Sequence, residues 1–394
     1  MSRPVAALHP DLYSESERMW AARAHEFARG TLEPLRQKID EGGRCRELIR
    51  ELGAARLLGT LIPREYGGEG LDSGHNALVS AELSAASPSL AAMRAVSVVF
   101  TALPLLAYAD AEQKRSWLPP MVDGTASYSL AITEPGAGSD AGSMSVTARP
   151  DGSTYVIDGV KHYISGSAEN DAVLAYVVTN PDARARDRYS AFLVPLNSDG
   201  IRIEPIPTTG LRGFSHARIE FNGVRVDRDR LVGEPGQGFE IMMYGLQPER
   251  VDIAARALGC AERALDEAVE FAAERVQFGR AIREFQAVSH SIADMRATVE
   301  AVRLLVHRAA RLVDAGEAAN QMTAIAKLMA CERGFAVCDQ AMQLLGARGY
   351  TSGSAVDVMF RDIRALRYGG GTDEIMRHVI QREEFAGRRD HASP

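Results

Sequence analysis

TYVIDGVKHYIS, residues 154–165, carries two short β-like runs on either side of Asp158-Gly159. Tyr, Val, Ile and Thr favour strands, and an Asp-Gly pair favours the positive φ angles of a tight hairpin turn. ARIEFNGVRV, 217–226, repeats the pattern around Asn222-Gly223. Between them lie AVLAYVV (172–178), SAFLVPL (190–196) and IRIEPI (201–206), with no long helical periodicity intervening. Residues 127–233 therefore read as a separate antiparallel β domain, with the two dipeptides as its turns.

Outward from that domain the pattern changes on both sides. Residues 1–126 read as helical, with Leu48, Ile49, Leu52 and Leu57 set among charges. IPREYGGEG, 62–70, interrupts them through Pro63, Gly67, Gly68 and Gly70. An Ala/Ser-rich helical stretch then runs to about Ala109. Residues 234–394 are helical again. Leu258, Ala261, Leu265, Ala268 and Ala272 recur at spacings of three and four, and a second stripe runs through Ile292, Met295, Val299, Val302 and Leu305. The expected class is α+β: an N-terminal helical domain, a middle β domain and a C-terminal helical bundle.

Composition narrows the function. The chain has 394 residues, too many for one ordinary core. It is 46% hydrophobic and 25% charged, with a net charge of -7, so nothing in it attracts nucleic acid or an anionic membrane. Cys45, Cys260, Cys331 and Cys338 form no CxxC pair and no metal-type spacing with histidine, so no metal site is expected. Reduced thiols in a cytoplasmic protein are the simplest reading. MSRPVAALHPDLYSESE lacks the apolar core of a secretion signal. The longest uncharged apolar stretch, Ala95 to Ala109, contains Pro104 and falls short of the ~20 residues needed to span a bilayer. It reads as a buried helix.

GAGSDAG, 136–142, superficially matches a dinucleotide fingerprint, which requires a strand before it and a helix after it. The residues that follow, SMSVTARPDGSTYVIDG, read as strand and turn. Two readings stay open: a plain glycine loop, or a loop whose backbone N–H groups approach a phosphate or a flavin edge without a Rossmann helix. No Walker A, HExxH or GxSxG sequence occurs, and the nine histidines are scattered. What remains is a supply of carboxylates, hydroxyls and arginines suited to proton abstraction beside an organic cofactor.

Five segments, in order, resemble the acyl-CoA dehydrogenase family: LAITEPGAGSD (130–140), KHYISGSAEND (161–171), ERVQFGRAIREFQ (274–286), QLLGARGY (343–350) and FRDIRALRYGGGTDEIMR (360–377). The resemblance implies FAD between the β domain and the C-terminal helices, partly held by a neighbouring subunit of a homotetramer or homodimer. It places Leu130, Ile132 and Thr133 along the isoalloxazine ring and Ser165 near flavin N5. Tyr163 stands where many members have a Trp. Gly138 and Ser139 fall near the pyrophosphate, Ser139 also near the pantetheine arm of the substrate. Arg275, Gln277 and Phe278 match the segment that clasps a partner's FAD. Gln343 and Gly346 match residues at the adenosine end, and Thr372 and Glu374 match a pair that also touches FAD.

The resemblance also implies a reaction. An α-proton leaves an acyl thioester while the β-hydride goes to flavin N5, and an electron-transfer flavoprotein accepts the electrons. Many members keep the catalytic Glu two residues before the Thr of the last segment, where this chain has Gly370. A subset resembling the long-chain and isovaleryl enzymes places it directly before an Arg on a C-terminal helix. LQPERVDIAA, 246–255, puts Glu249-Arg250 at that place, with Pro248 suited to a first helical turn. Glu249 is then the expected base, and the Gly370 N–H the expected donor to the thioester oxygen. Read from the residues alone, Glu249 is an ordinary acidic residue at a helix N-terminus. Gln247 replaces an Asp that touches pantetheine, which leaves CoA and a carrier protein both open. Arg250 can orient the active-site segment or support the substrate, and Arg382 resembles a residue near the CoA-binding end, with an exposed ion pair as the equal alternative. An oxidase, a decarboxylating or oxygenating flavoenzyme, and a non-redox binding protein on the same fold are the competing readings.

Overall fold

A computed structural model of the chain describes residues 4, 9–42, 45–184 and 186–386. The N-terminal third contains α1 (Glu15–Phe27), α2 (Arg36–Asp40), α3 (Cys45–Ala54), α4 (Ser73–Ala86), α5 (Pro88–Ala95), α6 (Ala102–Tyr108) and α7 (Ala111–Asp123). Leu48, Ile49, Leu52 and Leu57 are fully buried, so the loose periodicity does mark a core face. The apolar stretch from Pro88 to Tyr108 is one long helical run, joined through a π-turn at Val96–Thr101, and most of it is buried inside the fold.

The middle third is a mixed eight-stranded sheet in the order β6-β7-β3-β2-β4-β5-β8. Its strands are β1 (Tyr128–Ala131), β2 (Thr147–Asp151), β3 (Thr154–Ser165), β4 (Ala172–Val178), β5 (Tyr189–Pro195), β6 (Ile201–Pro205), β7 (His216–Asp227) and β8 (Leu231–Val232). Most pairings are antiparallel, as expected. Two are not: β1 lies parallel to β4, and β2 meets β4 in parallel at Thr147 and Val178. Parallel neighbours need a long connection, and residues 132–171 supply it.

The two Xaa-Gly dipeptides are not turns. β3 and β7 are each continuous twelve-residue strands running through Asp158-Gly159 and Asn222-Gly223. Both glycines keep positive φ, 133° and 64°, but the register of β3 on β7 slips beside Gly159 and the pairing continues. The positive φ is spent on a bulge inside a long ladder. The Asp158 carboxylate accepts the Gly223 N–H at 2.8 Å and pins the two irregularities together. The real hairpin turn is at Gly152-Ser153, between β2 and β3.

The C-terminal part contains α8 (Gly238–Tyr244), α9 (Leu246–Glu274), a small hairpin of β9 (Val276–Gln277) and β10 (Arg280–Ala281), α10 (Gln286–Asp314), α11 (Asn320–Leu345), α12 (Ala355–Leu366) and α13 (Asp373–Ala386). The expected stripe on α9 is buried throughout. On α10, Met295, Val299 and Val302 are buried, while Ile292 and Leu305 are half-buried. All four cysteines are buried and unbridged.

α9 crosses α4 at close range. A Cβ on Gly259 would fall 2.1 Å from the Ala81 carbonyl oxygen, so only a glycine lets the two backbones meet. Beside this crossing the Asp252 carboxylate accepts Ser80 Oγ (2.5 Å), Asn76 Nδ2 (3.2 Å) and Arg256 Nε (2.8 Å). The fully buried Arg94 guanidinium donates to the Leu57 carbonyl, Ser80, Thr60 and Asn76 from the other side. Overpacking a close contact typically costs about 1–3 kcal/mol, so Gly259→Ala is expected to lower the unfolding free energy read from urea titration by that amount. Gly136→Ala, whose Cβ meets nothing within 4 Å, is expected to leave it within about 0.5 kcal/mol. Equal midpoints for the two variants would refute the close-approach account.

Candidate active site

The chain breaks at Gly245 between α8 and α9 and re-enters a helix with Pro248 in its first turn. Glu249 follows, and its N–H bonds the Gly245 carbonyl. Only 8% of it is exposed, and its carboxylate has no hydrogen-bond or ion-pair partner among the described residues. Burial pushes its pKa up to about 7, against the pull of the Arg250 and Arg256 charges. A first-turn position favours the anion through the helix dipole, but desolvation outweighs it. A solvent-excluded carboxyl that titrates near neutrality can take up a proton at working pH.

Gly370 faces this carboxyl from the loop between α12 and α13. Its φ is 62°, a region costly for residues with a side chain. A Cβ there would lie 3.0 Å from Glu249 Oε1 and 2.6 Å from Ile253 Cδ1. The Glu249 carboxylate thus stands where a side chain at position 370 would have to go. Lys327, fully buried on α11, fixes the loop by donating to the carbonyls of Arg367 (2.9 Å) and Gly371 (2.6 Å). Arg367 Nε reaches the Asp373 carboxylate at 2.6 Å and closes the loop's far end.

The neighbours of Glu249 divide. Gln247 is half-buried two residues earlier in the same turn. Arg250 is buried and donates to Asn320 Oδ1 at 2.8 Å, at the start of α11, while its Nε has no partner. Arg382 is exposed on α13.

A second group assembles on the sheet. Leu130 lies in β1 just before its last residue, Ile132 and Thr133 follow the strand, and all three are half-buried. The His162 N–H bonds the Thr133 carbonyl at 2.9 Å, and Ser129 Oγ bonds the Ser165 carbonyl, so the two segments run side by side. Tyr163 has φ 59° at a second bulge and stands 60% exposed. Ser165 Oγ lies 3.3 Å from His216 Nδ1, whose other ring nitrogen is buried without a partner. Gly138 and Ser139 are exposed on the loop beyond. Only a short turn, Ala141–Ser143, follows, so the Rossmann reading fails on structure as well.

An ion pair underlies this loop. Lys161, fully buried, reaches Glu134 Oε1 at 2.9 Å and the Ile132 carbonyl at 2.8 Å. Glu134 also accepts Ser145 and Val146. Burial pushes the Lys161 ammonium down to about 8, against the attraction of Glu134. The half-buried floor, the exposed Tyr163 ring, the open glycine loop and the unpartnered His216 nitrogen fit a flat polar heterocycle with a phosphate arm. FAD is such a molecule.

The third group is open to solvent. Arg275, Gln277 and Phe278 belong to the β9–β10 hairpin, and Phe278 at its tip is 93% exposed. Gln343 and Gly346 are exposed at the end of α11, and Gly346 has φ 58°. Thr372 Oγ1 accepts the Ile375 N–H at 3.2 Å and caps α13, and Glu374 is exposed beside it. Sequence reasoning missed Lys161, Glu134, Lys327, Arg256 and His216. A lone cation inside an apolar helical run, as in AIAKLMA around Lys327 or IAARALG around Arg256, was the available signal for two of them.

Comparison with known proteins agrees with this geometry. Acyl-CoA dehydrogenase family models match in sequence order: the N-terminal domain at 14–125, the middle domain at 129–224 and the C-terminal domain at 236–385. A probable acyl-CoA dehydrogenase of Bacillus subtilis (strain 168) is 36% identical over 94% of this chain and 98% of its own. The butyryl-CoA dehydrogenase structure from Megasphaera elsdenii superposes with a TM-score of 0.91 at 29% identity, over 95% of this chain and 99% of that one. The prolyl acyl carrier protein oxidase AnaB superposes with a TM-score of 0.90 at 27% identity, over 95% and 100%. This chain belongs to the acyl-CoA dehydrogenase family of FAD-dependent oxidoreductases, which act on the CH–CH bond of acyl thioesters.

Proposed function

We propose that Glu249 is the base that removes the α-proton of the acyl thioester, and that the Gly370 N–H bonds the thioester oxygen as it gains charge. The observation that carries this is the 3.0 Å between Glu249 Oε1 and the Cβ that Gly370 lacks. Bound FAD would supply the acceptor for the β-hydride. Leu130, Ile132, Thr133, Tyr163 and Ser165 would hold its ring, and Gly138 and Ser139 the phosphate side.

Glu249 needs only to be ionised and dry. A backbone donor at 370 needs no side chain, so oxyanion stabilisation is compatible with glycine there. Lys327 keeps that donor in place by holding the two carbonyls that flank it. Gln247 can hydrogen-bond a pantetheine arm as a neutral group, which suits CoA and a carrier protein equally. Arg250 and Arg382 belong to the same proposed substrate site, Arg250 supporting it through Asn320.

The exposed hairpin around Phe278, with Arg275 and Gln277, is proposed to close the flavin site of a second copy in a homotetramer or homodimer. Gln343, Gly346, Thr372 and Glu374 would complete that half. A Phe that is 93% exposed calls for a cover. We place the enzyme in the cytoplasm, with an electron-transfer flavoprotein as acceptor.

Anaerobic flavin bleaching by an acyl thioester tests the base. Glu249→Gln should bind the thioester but bleach roughly 10²–10⁴-fold more slowly, the usual contribution of a positioned base. Undiminished bleaching would remove Glu249 from the mechanism. In the wild type, the bleaching rate should rise as Glu249 ionises and level off above about pH 7; a flat profile from pH 5 to 9 would contradict it. The same group sets a stability trend. Its folded pKa lies above the ordinary 4.5, so stability is fully present below that value and lost as pH rises through about 7. Glu249→Gln should therefore be the more stable protein at pH 8, by up to roughly 3 kcal/mol, and should match the wild type near pH 4.5. Thermal melts at the two pH values read the difference.

A further inference from the structure

The face of α9 that begins at Glu249 continues into the protein through Ile253 and Arg256, at i+4 and i+7, which share one side of a helix. Ile253 already touches the space at position 370. Arg256 is the next side chain along, and its charge acts on Glu249. It is 3% exposed, and its guanidinium lies over the Phe100 ring at 5.8 Å, in the π-turn between α5 and α6. The surface leading away from the base is therefore apolar first and cationic at its end.

Arg256 is also incompletely used. A guanidinium has five N–H donors. Nε bonds Asp252, and the terminal nitrogens have no hydrogen-bond partner among the described residues. The contrast with Arg94 is direct, because Arg94 donates from all three nitrogens to four acceptors. Asp252 already accepts Ser80, Asn76 and Arg256 Nε, and its single negative charge is shared between two buried guanidiniums. Charged donors enclosed by protein are costly to leave without an acceptor. A purely hydrocarbon acyl tail would leave that cost standing.

We infer that Arg256 is a specificity-determining residue, and that the acyl group this enzyme takes is short and carries a carboxylate at its far end. The two terminal nitrogens of a guanidinium present parallel donors that match a carboxylate bidentately. Seven residues of helix rise about 10 Å, and an Arg side chain leans back toward the helix N-terminus. The span from the α-carbon at Glu249 to the Arg256 fork thus suits a short chain. This assignment rests on the acyl-thioester reading above.

The test is anaerobic bleaching of the FAD-loaded enzyme by two pantetheine thioesters of equal length, glutaryl and pentanoyl. Pantetheine is common to CoA and carrier proteins, so the result does not depend on the carrier. The wild type should be bleached at least tenfold faster by the glutaryl thioester, and should bind it more tightly when followed by the shift in the oxidised flavin spectrum. Arg256→Leu should reverse the order, and Arg256→Lys, which keeps the charge without the fork, should fall between. Equal rates in the wild type, or a faster pentanoyl reaction, would overturn the assignment of Arg256 alone. So would a glutaryl preference that survives Arg256→Leu. The wild-type ratio decides the matter even if a variant does not fold. Absence of bleaching by either thioester would overturn the acyl-thioester reading itself.

Discussion

The structure turns on the buried junction where α9 meets α4 and α5. Asp252 receives hydrogen bonds from Ser80 and Asn76 on α4 and from Arg256 on its own helix, while Arg94 on α5 holds Ser80 and Asn76 from behind. Removing one partner from such a buried charged set costs far more than the set contributes, about 3–5 kcal/mol, because a charge is left stranded. The arrangement therefore specifies one docking of α9 against the N-terminal helices. The Gly259–Ala81 contact fixes the same docking through backbone shape. Everything at the candidate site hangs from the N-terminal end of that helix. Glu249 lies one turn before Asp252 and inherits its position from the junction.

That placement explains why an acidic residue at a helix start does not behave like its surface counterparts. The dipole and the two neighbouring arginines all favour the anion, yet burial leaves Glu249 titrating near 7. The cations around it each take a partner other than the Glu249 carboxylate. Arg250 is engaged by Asn320, Arg256 by Asp252, and Lys327 by the loop carbonyls. Each cation is close enough to be felt, and none is paired with the carboxylate. A paired Glu249 would be stabilised as an anion and would be a weaker base.

Much of the architecture was legible because periodicity and punctuation are local. The Leu258–Ala272 stripe on α9 and the strand runs from 172 to 206 appear where their patterns place them. The failures at Asp158-Gly159 and Asn222-Gly223 are also physical. A positive φ is required both by a turn and by a bulge, and only the partner strand decides which one forms. The parallel pairing of β1 with β4 was hidden for the same reason, since sheet order is set by contacts distant in sequence. At the site, Glu249 and Gly370 were named from a resemblance, and the 3.0 Å between Glu249 Oε1 and the place a Cβ on residue 370 would take is a tertiary fact that no spacing encodes. The Lys161–Glu134 pair was invisible because a lone Lys or Glu reads as a solvated surface residue until its burial is known, whereas Lys327 left only the faint signal of a cation inside an apolar helical run.

The relation between positions 249 and 370 constrains which sequences can work on this fold. The two positions lie on different elements, but a carboxylate on α9 and a side chain on the loop compete for one volume. A Glu at 370 with Glu249 retained would bring two carboxylates into a single dry site, where only one can ionise readily. Gly at both would leave the site without a base while the oxyanion donor persists. A carboxylate can therefore stand on α9 only if the loop position gives up its side chain. The glycine that at first reads as a missing carboxylate is the vacancy that the Glu249 carboxylate occupies.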